Sequence, residues 1–567
     1  MTTSNTHWQL FSSNSEICEK LSTHLNRHPL ICQILLNRGI RSLEDAQLFL
    51  NPKKNSEANF DRKLLNHASE LILDHIAKKN HILIYSDYDA DGITSTAILA
   101  ENLRKLGGNV SYIVPHRFED GYGLNEGVID KIVESKPHLL ITLDCGVSNA
   151  KEIKNIKSRV SVDIIIMDHH KLPDKLPDAN VIINPQTLDE SHSLRNLCTA
   201  GIVYKFLEYM DDQFNMNLGL ESCLDLVAIG TVADIAPLIG ENRRLVWLGL
   251  DQLNRRPRRG VQLLLEKAGF KKKVINARDI GFTIAPRLNA SGRIAHAKIS
   301  VELLIGQSED DLSRIADQIQ TLNEKRQQIG QQIYNESVKI VMEDKNRLEK
   351  NKVLVMSHSN WHSGVIGITA SQLARKFSRP VVMISLSGGE GRGSARSVGS
   401  VDIFSILKNC SSNFKTFGGH KQAAGFSINP EQIKGFTEQC ESIANTTISD
   451  SELAAILQID ATLPVELMTL EFAWELQDLA PFGHQNPEPL FYSNRLKAVD
   501  FKCVGDGTHL KATFTDEKGK VMIEGIGFGL AHKIELLYQP HIELAFHLGI
   551  NSFKGVEVSQ LQLVDIK

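Results

Sequence analysis

Asp87, Asp89 and Asp91 stand at alternate positions in the stretch Tyr85-Ser86-Asp87-Tyr88-Asp89-Ala90-Asp91-Gly92. Three carboxylates this close repel one another unless a cation lies between them, and an unpaired ionised acid is costly wherever water is thinned out. Two later clusters, Asp144-Cys145-Gly146 and Asp168-His169-His170, add acids and a pair of imidazoles. Carboxylates joined by one or two histidines suit Mn²⁺ or Mg²⁺ better than a structural zinc, which prefers thiolates or more imidazole.

The elements around these residues are those that would bring them together. Each cluster follows a short apolar run: His81 to Tyr85, Leu139 to Leu143 and Asp163 to Met167. Such runs read as buried strands. The segments Ile93 to Leu106, Asn125 to Ser135 and Ser148 to Arg159 read as helices between them, with a further strand at Val110 to Val114. Alternating strands and helices predict an α/β fold with a mostly parallel sheet, whose ligands bind beyond the carboxyl ends of the strands. All three clusters then fall on one edge. The competing reading makes each acid only a helix cap or turn former. Three clusters on one edge, one with paired imidazoles, argue against coincidence.

Other residues join this set. Asp234 lies in the apolar stretch Leu224 to Leu238, where an unpaired charge is costly, so a ligand role is favoured over a solvent-facing helix end. Arg117 belongs to the loop His116 to Gly123 on the same predicted edge. Arg287 and Arg293 flank a Pro, Asn, Ser and Gly segment, where a tight turn would aim both guanidinium groups at one phosphate. The run Gly388 to Ser397, with Ser394 and Arg396, reads as a glycine loop cradling an oxyanion, and His420 follows Gly418-Gly419. The basic runs Arg255 to Arg259 and Lys271 to Lys273 read as solvated faces.

The chain of 567 residues predicts three or four domains at about 150 residues each. A formal charge of −4 gives no overall attraction to nucleic acid, so any such binding is local. Eight cysteines without a Cys-x-x-Cys pair fit a reducing compartment, and the first twenty residues lack a basic end followed by an apolar stretch. No run of 18 apolar residues appears, so no membrane is expected and the cytoplasm is. Residues 1 to about 75 read as a helical lead-in. Ser308 to Lys345, free of proline, predicts one long connector helix or a pair. Past Asn445, short alternating segments at Arg495 to Val504, His509 to Thr515, Val521 to Phe528 and Ile542 to Ile550 predict a small β-barrel. Its Phe501, Phe514, Phe528, Phe546 and Phe553 either stack bases or fill the core.

In order, Asp87-Tyr88-Asp89-Ala90-Asp91-Gly92, Asp144-Cys145-Gly146, Asp168-His169-His170, Gly230 to Leu238, Pro286 to Arg293 and Phe417-Gly418-Gly419-His420 resemble the motifs of the DHH phosphoesterases. Over nearly its full length the chain is similar to the members of that family that digest single-stranded DNA in repair and recombination. The resemblance implies a DHH catalytic domain at 76–305, a connector helix at 306–350, a DHHA1-like substrate-binding domain at 351–447 and an OB-fold nucleic-acid-binding domain at 448–567. It implies 5′→3′ exonuclease action with two divalent metal ions, Mn²⁺ or Mg²⁺, about 4 Å apart. Asp89, Asp91, Asp144, His169 and Asp234 would be the ligands, with Asp144 bridging and Asp87 and His170 supporting the chemistry. Arg117, Arg287, Arg293, Ser394, Arg396 and His420 would hold phosphate in a cleft between two domains. Expected partners are single-stranded DNA, a single-strand binding protein and a RecQ-like helicase, with the chain a monomer. Two alternatives stay open: a phosphodiesterase for pyrophosphate, short oligoribonucleotides or cyclic dinucleotides, and a metal-free replication scaffold. Pyrophosphatases of similar sequence carry His where this chain has Tyr85.

Overall fold

The structure, a computed structural model, describes residues 6–53, 59–117, 123–344, 347–387, 389–553 and 555–567. The chain divides into two compact units, a larger one of residues 10–320 with 458–567 and a smaller one of residues 1–9 with 321–457.

In the larger unit five parallel strands run in the order Asn109–Ile113, His81–Ser86, Leu139–Leu143, Asp163–Met167, Val181–Ile183. The central three are apolar on both faces, as strands covered by helices on either side must be. Ile82, Ile84, Ile141, Leu143, Ile165 and Met167 enter one core, and Leu83, Tyr85, Leu140, Ile164 and Ile166 the other. The crossovers are the helices Ala90–Lys105, Glu126–Glu134 and Ala150–Arg159, each within a few residues of its expected place. The register sets Ser86 beside Leu143, Leu143 beside Met167 and Met167 beside Ile183. Asp87, Asp144 and Asp168 therefore leave the sheet at one edge.

Two expectations about the cationic segments are corrected. Ala285–Ile294 is a helix rather than a tight turn. Its proline sits in the first turn, where the missing N–H costs no intrahelical bond. Arg287 and Arg293, six residues apart, then lie on different sides of it. The run Arg255 to Arg259 is only partly a solvated face. Arg258 is partly buried, with Nη1 2.9 Å from Glu101 and Nε 3.4 Å from the buried Asp225. Arg259 bridges Glu266 and Glu309 at the surface.

Glu309–Glu343 forms one helix of 35 residues, as the proline-free sequence predicts, and along it the chain passes from the larger unit to the smaller. The smaller unit holds a five-stranded sheet in the order Phe414–His420, Ala423–Ile428, Gly391–Arg396, Val381–Ser385, Leu354–His358. The glycine-rich stretch expected to be a loop is thus an interior strand, and Gly388 lies outside the described residues. Its glycines serve packing: Gly393 faces Phe426 on the next strand, and a Cβ there would fall 2.1 Å from the phenyl ring.

The C-terminal residues of the larger unit form a seven-stranded, mostly antiparallel sheet that contains all four predicted strands. Its longest strand, Val556–Ile566, was not among them. Phe514 and Phe546 are fully buried, Phe501 is partly buried and Phe528 is exposed, while the Phe553 side chain lies outside the described residues. The helices Ser15–Leu25, Pro29–Asn37 and Leu43–Leu50 share this sheet's core rather than that of the strand they precede. The side chains of Arg38 and Asp460, both buried, join the two at 2.7 Å.

Candidate metal centre

Asp89 caps the helix Ala90–Lys105, its Oδ1 accepting the N–H groups of Asp91 at 2.9 Å and Gly92 at 3.1 Å. Asp91 is buried in the first turn. Its two oxygens accept the N–H groups of Thr199 at 2.7 Å and Ala200 at 2.9 Å, at the start of the helix Thr199–Phe214. Helix starts favour negative charge, so these amides offset part of the acid's desolvation. A third helix, Leu224–Ala233, ends in Asp234. It comes this close because residue 230 is glycine: a Cβ there would lie 2.9 Å from the Asp91 carboxylate and 2.6 Å from the Thr94 hydroxyl.

Asp144 takes the left-handed conformation at φ 60°, and Ile235, directly after Asp234, does so at φ 58°. For a β-branched residue this is strained, and strain of this kind persists where surrounding structure imposes it. Nε2 of His169 lies 3.2 Å from Asp144 and 3.8 Å from Asp234. The His169 and His170 rings are 4.6 Å apart. Donor atoms lie within 4.8 Å of one another in three groups: Asp87, Asp89 and Asp144; Asp91, His169 and Asp234; Asp144, His169 and His170. Asp144 and His169 each belong to two of them. Asp87 and His170, expected only to support the chemistry, stand within liganding reach.

Burial and neighbouring acids push the carboxyl groups of Asp87 and Asp144 well above the usual range. Burial, then Asp91 and Asp89, push Asp234 up to about 9, and burial also raises Asp91. Burial lowers His169. Burial works against charge on His170 too, but the hydrogen bond and charge of Asp168, with Asp234 and Asp87, outweigh it and push the imidazole up to about 9. The site thus concentrates more negative charge than the protein around it neutralises. Oδ1 of Asp87 is buried without a hydrogen-bond partner. Hard oxygen donors with one or two imidazoles and an orphaned carboxylate oxygen fit Mn²⁺ or Mg²⁺.

The expected phosphate-holding residues divide. The Arg117 guanidinium lies 5.1 Å from the centre of the Tyr88 ring and its charge lowers the pKa of Asp87. Arg293 also acts on Tyr88. Arg117 therefore stands beside the acid cluster, while the loop residues 118–122 lie outside the described residues. Arg287 instead donates to Gln320 and to the Thr283 carbonyl. In the smaller unit Ser394 and Arg396 alternate along one strand and are 3.2 Å apart. Ala423 pairs with Arg396 on one side and His420 on the other.

Sequence reasoning missed three supporting residues. Asp168 was seen only as part of a cluster, yet it fixes His170. Thr199 gave no signal, and Asn289, seen only as part of the Pro286 to Arg293 motif, accepts the Ala90 N–H at 2.9 Å to dock its helix on the acid loop. Tyr85 points away from the acids, its hydroxyl donating to the Gly123 carbonyl at 2.9 Å on the other face of the sheet.

Residues 81–231 match the DHH family N-terminal domain, residues 350–446 the DHHA1 domain and residues 459–565 the RecJ OB domain. The single-stranded-DNA-specific exonuclease RecJ of Salmonella typhimurium is 32% identical over 565 residues, covering 95% of this chain and 96% of the relative. That of Escherichia coli is 31% identical, covering 95% and 96%. The crystal structure of RecJ from Thermus thermophilus in complex with Mn²⁺ superposes with a TM-score of 0.84 at 26% identity, over 99% of this chain and 79% of that one. The corresponding Mg²⁺ complex gives 0.78 at 25%, over 99% and 78%. With a DHH domain, a DHHA1 domain and an OB domain in this order and full-length relatives above 30% identity, the chain belongs to the RecJ family.

Proposed function

We propose that the protein is a metal-dependent exonuclease that hydrolyses single-stranded DNA from its 5′ end, in repair and recombination. The observation that carries this reading is the set of overlapping donor groups centred on Asp144, at one sheet edge, in a chain of the RecJ family. Asp89, Asp91, Asp144, His169 and Asp234 would hold Mn²⁺ or Mg²⁺. Such ions, when bound, polarise a phosphoryl oxygen and lower the pKa of an attacking water.

The chain's own groups do the rest. His170, kept protonated at neutral pH by Asp168, donates a hydrogen bond to a phosphate oxygen. Asp87 completes the acid cluster at the site. Arg117 and Arg293 attract the strand's phosphates beside Tyr88. Arg287, Ser394, Arg396 and His420 are retained as phosphate-binding residues of their own units. The division into a lead-in at 1–75, DHH at 76–305, connector at 306–350, DHHA1-like at 351–447 and OB-fold at 448–567 is likewise part of this proposal.

Among the described residues no helix is long and apolar enough to cross a membrane. We place the protein in the cytoplasm as a monomer. All eight cysteines are unpaired and seven are buried, which suits a reducing compartment. A single-strand binding protein and a RecQ-like helicase are the proposed partners, since a duplex must be unwound to supply a single strand, which is otherwise coated.

Incubation with Mn²⁺ and single-stranded DNA labelled at either end tests the function. The 5′ label should leave first as a mononucleotide, duplex DNA and RNA of the same sequence should be spared, and Asp89→Ala and Asp144→Ala should lower the rate by orders of magnitude. Release from the 3′ end, or equal digestion of RNA, would overturn the reading.

A further inference from the structure

We propose that Thr199 is a positioning residue of the metal centre: its hydroxyl holds Asp144 while its amide holds Asp91, fixing two acids from different strand ends in one arrangement. This rests on the metal-dependent reading above.

Thr199 is fully buried and is the first residue of its helix, after Cys198 at the cap position, which makes no side-chain capping bond. Its backbone N–H donates to Oδ2 of Asp91 at 2.7 Å, and its hydroxyl donates to Oδ1 of Asp144 at 3.1 Å. The buried threonines nearby behave differently. Thr94 donates to the Ala90 carbonyl at 2.8 Å and Thr231 to the Val227 carbonyl at 2.7 Å, each four residues back in its own helix. A first-turn residue has no helical carbonyl four residues behind it, so the Thr199 hydroxyl turns outward to the acid.

That bond has two effects. Asp144 and Asp91 repel one another, and one residue donating to both through its amide and its hydroxyl restrains the carboxylates from rotating apart. It also occupies one lone pair of Oδ1, the oxygen that lies 3.2 Å from His169, and so fixes the orientation in which the carboxylate meets an ion. Outer-shell donors of this kind set ligand geometry, and their loss lowers metal affinity by about 10- to 100-fold. Thr199→Val keeps the amide bond to Asp91 and the side-chain shape but removes the donor. Thr199→Ser keeps the donor and loses only a methyl group.

The test is calorimetric titration of Mn²⁺ into the metal-stripped full-length protein, with circular dichroism of each metal-free variant. Thr199→Val should bind Mn²⁺ about 10- to 100-fold more weakly than wild type, and Thr199→Ser should restore most of the affinity. Should Val not fold, Thr199→Ala is read in its place. Equal affinity in wild type and the donor-less variant overturns the positioning role alone. A serine variant as weak as valine overturns it too, by assigning the effect to the methyl group. If wild type binds no Mn²⁺, the metal reading falls and this inference falls with it.

Discussion

Nδ1 of His170 lies 2.7 Å from Oδ1 of Asp168, and the same oxygen accepts the His170 backbone N–H at 3.1 Å. The other Asp168 oxygen accepts the Val147 N–H at 3.0 Å, which anchors the pair to the turn after Asp144. The carboxylate so fixed is what raises His170 above its ordinary 6.5 to about 9. The raised imidazole contributes stability that is fully present below its unfolded pKa and is lost as pH rises through about 9. Asp168→Asn should bring the His170 midpoint down, because burial is then opposed only by Asp234 and Asp87. Nuclease activity should fall more at pH 8 than at pH 6. A proton NMR titration of His170 in the metal-free protein reads the shift directly, and an unmoved midpoint would assign the charge to another neighbour.

The acid cluster dictates a second pH effect, of opposite origin. Asp234 has a folded pKa of about 9 against an ordinary value of 3.8, and Asp87, Asp91 and Asp144 are raised in the same direction. A folded state that binds more protons than the unfolded chain loses stability as pH rises between those values. The metal-free protein should therefore melt at a lower temperature at pH 8.5 than at pH 6. Mn²⁺ should raise the melting temperature more at the higher pH, where it has fewer protons to displace. Differential scanning calorimetry with and without a chelator checks this, and a metal-free protein that gains stability toward pH 8.5 would count against the cluster's mutual repulsion.

The catalytic edge was legible because its signals are local. Each acid cluster ends an apolar strand, and a parallel sheet carries strand ends to one side whatever else the chain does. Asp234 was legible for a related reason, an acid in an apolar helix. Arg287 and Arg293 misled because Pro286 before them and Asn289, Ser291 and Gly292 between them are turn formers by local preference, whereas docking through Asn289 and the first-turn proline favours a helix. Gly393 misled similarly, since a glycine needed to admit the Phe426 ring looks in sequence like one needed to bend a loop. Thr199 carried no signal at all. Its partners lie 55 and 108 residues away, and only the folded helix start brings them together.

Arg243 is a structural bolt that no pattern announces. Its guanidinium carbon lies 3.7 Å over the Phe49 ring, and its nitrogens donate to the carbonyls of Phe49 at 3.0 Å, Leu479 at 2.9 Å and Asp478 at 3.2 Å. One side chain thus fastens an N-terminal helix and a segment beside the C-terminal sheet to the catalytic fold. Lysine cannot reproduce a planar fork that both stacks and donates in several directions. Arg243→Lys should leave buried carbonyls unpaired at roughly 1–3 kcal/mol each, for a loss of several kcal/mol in urea denaturation. A variant within about 0.5 kcal/mol of wild type, the usual scatter for surface substitutions, would show that the bolt is dispensable.

We predict that two exposed rings beside the C-terminal sheet grip long strands. Phe528 is 60% exposed and meets His509 edge-on at 5.3 Å, and Tyr538 is 71% exposed and meets Phe501 edge-on at 4.8 Å. An exposed ring in an edge-to-face pair keeps at least one face open for a base, and each stacked base contributes ~1–3 kcal/mol. Removing the whole C-terminal region is not a clean test, since the helices Ser15–Leu25, Pro29–Asn37 and Leu43–Leu50 would lose the core they share with it and Arg38 would lose Asp460. Single substitutions keep that core. Phe528→Ala and Tyr538→Ala should each weaken binding of a long single strand by ~1–3 kcal/mol, roughly 5- to 150-fold, while hydrolysis of very short oligonucleotides continues near the wild-type rate. The salt dependence of binding should hardly change, because neither ring neutralises a phosphate. If both variants bind long strands as wild type does, the sheet is not the grip and strand selection lies with the residues around Asp144.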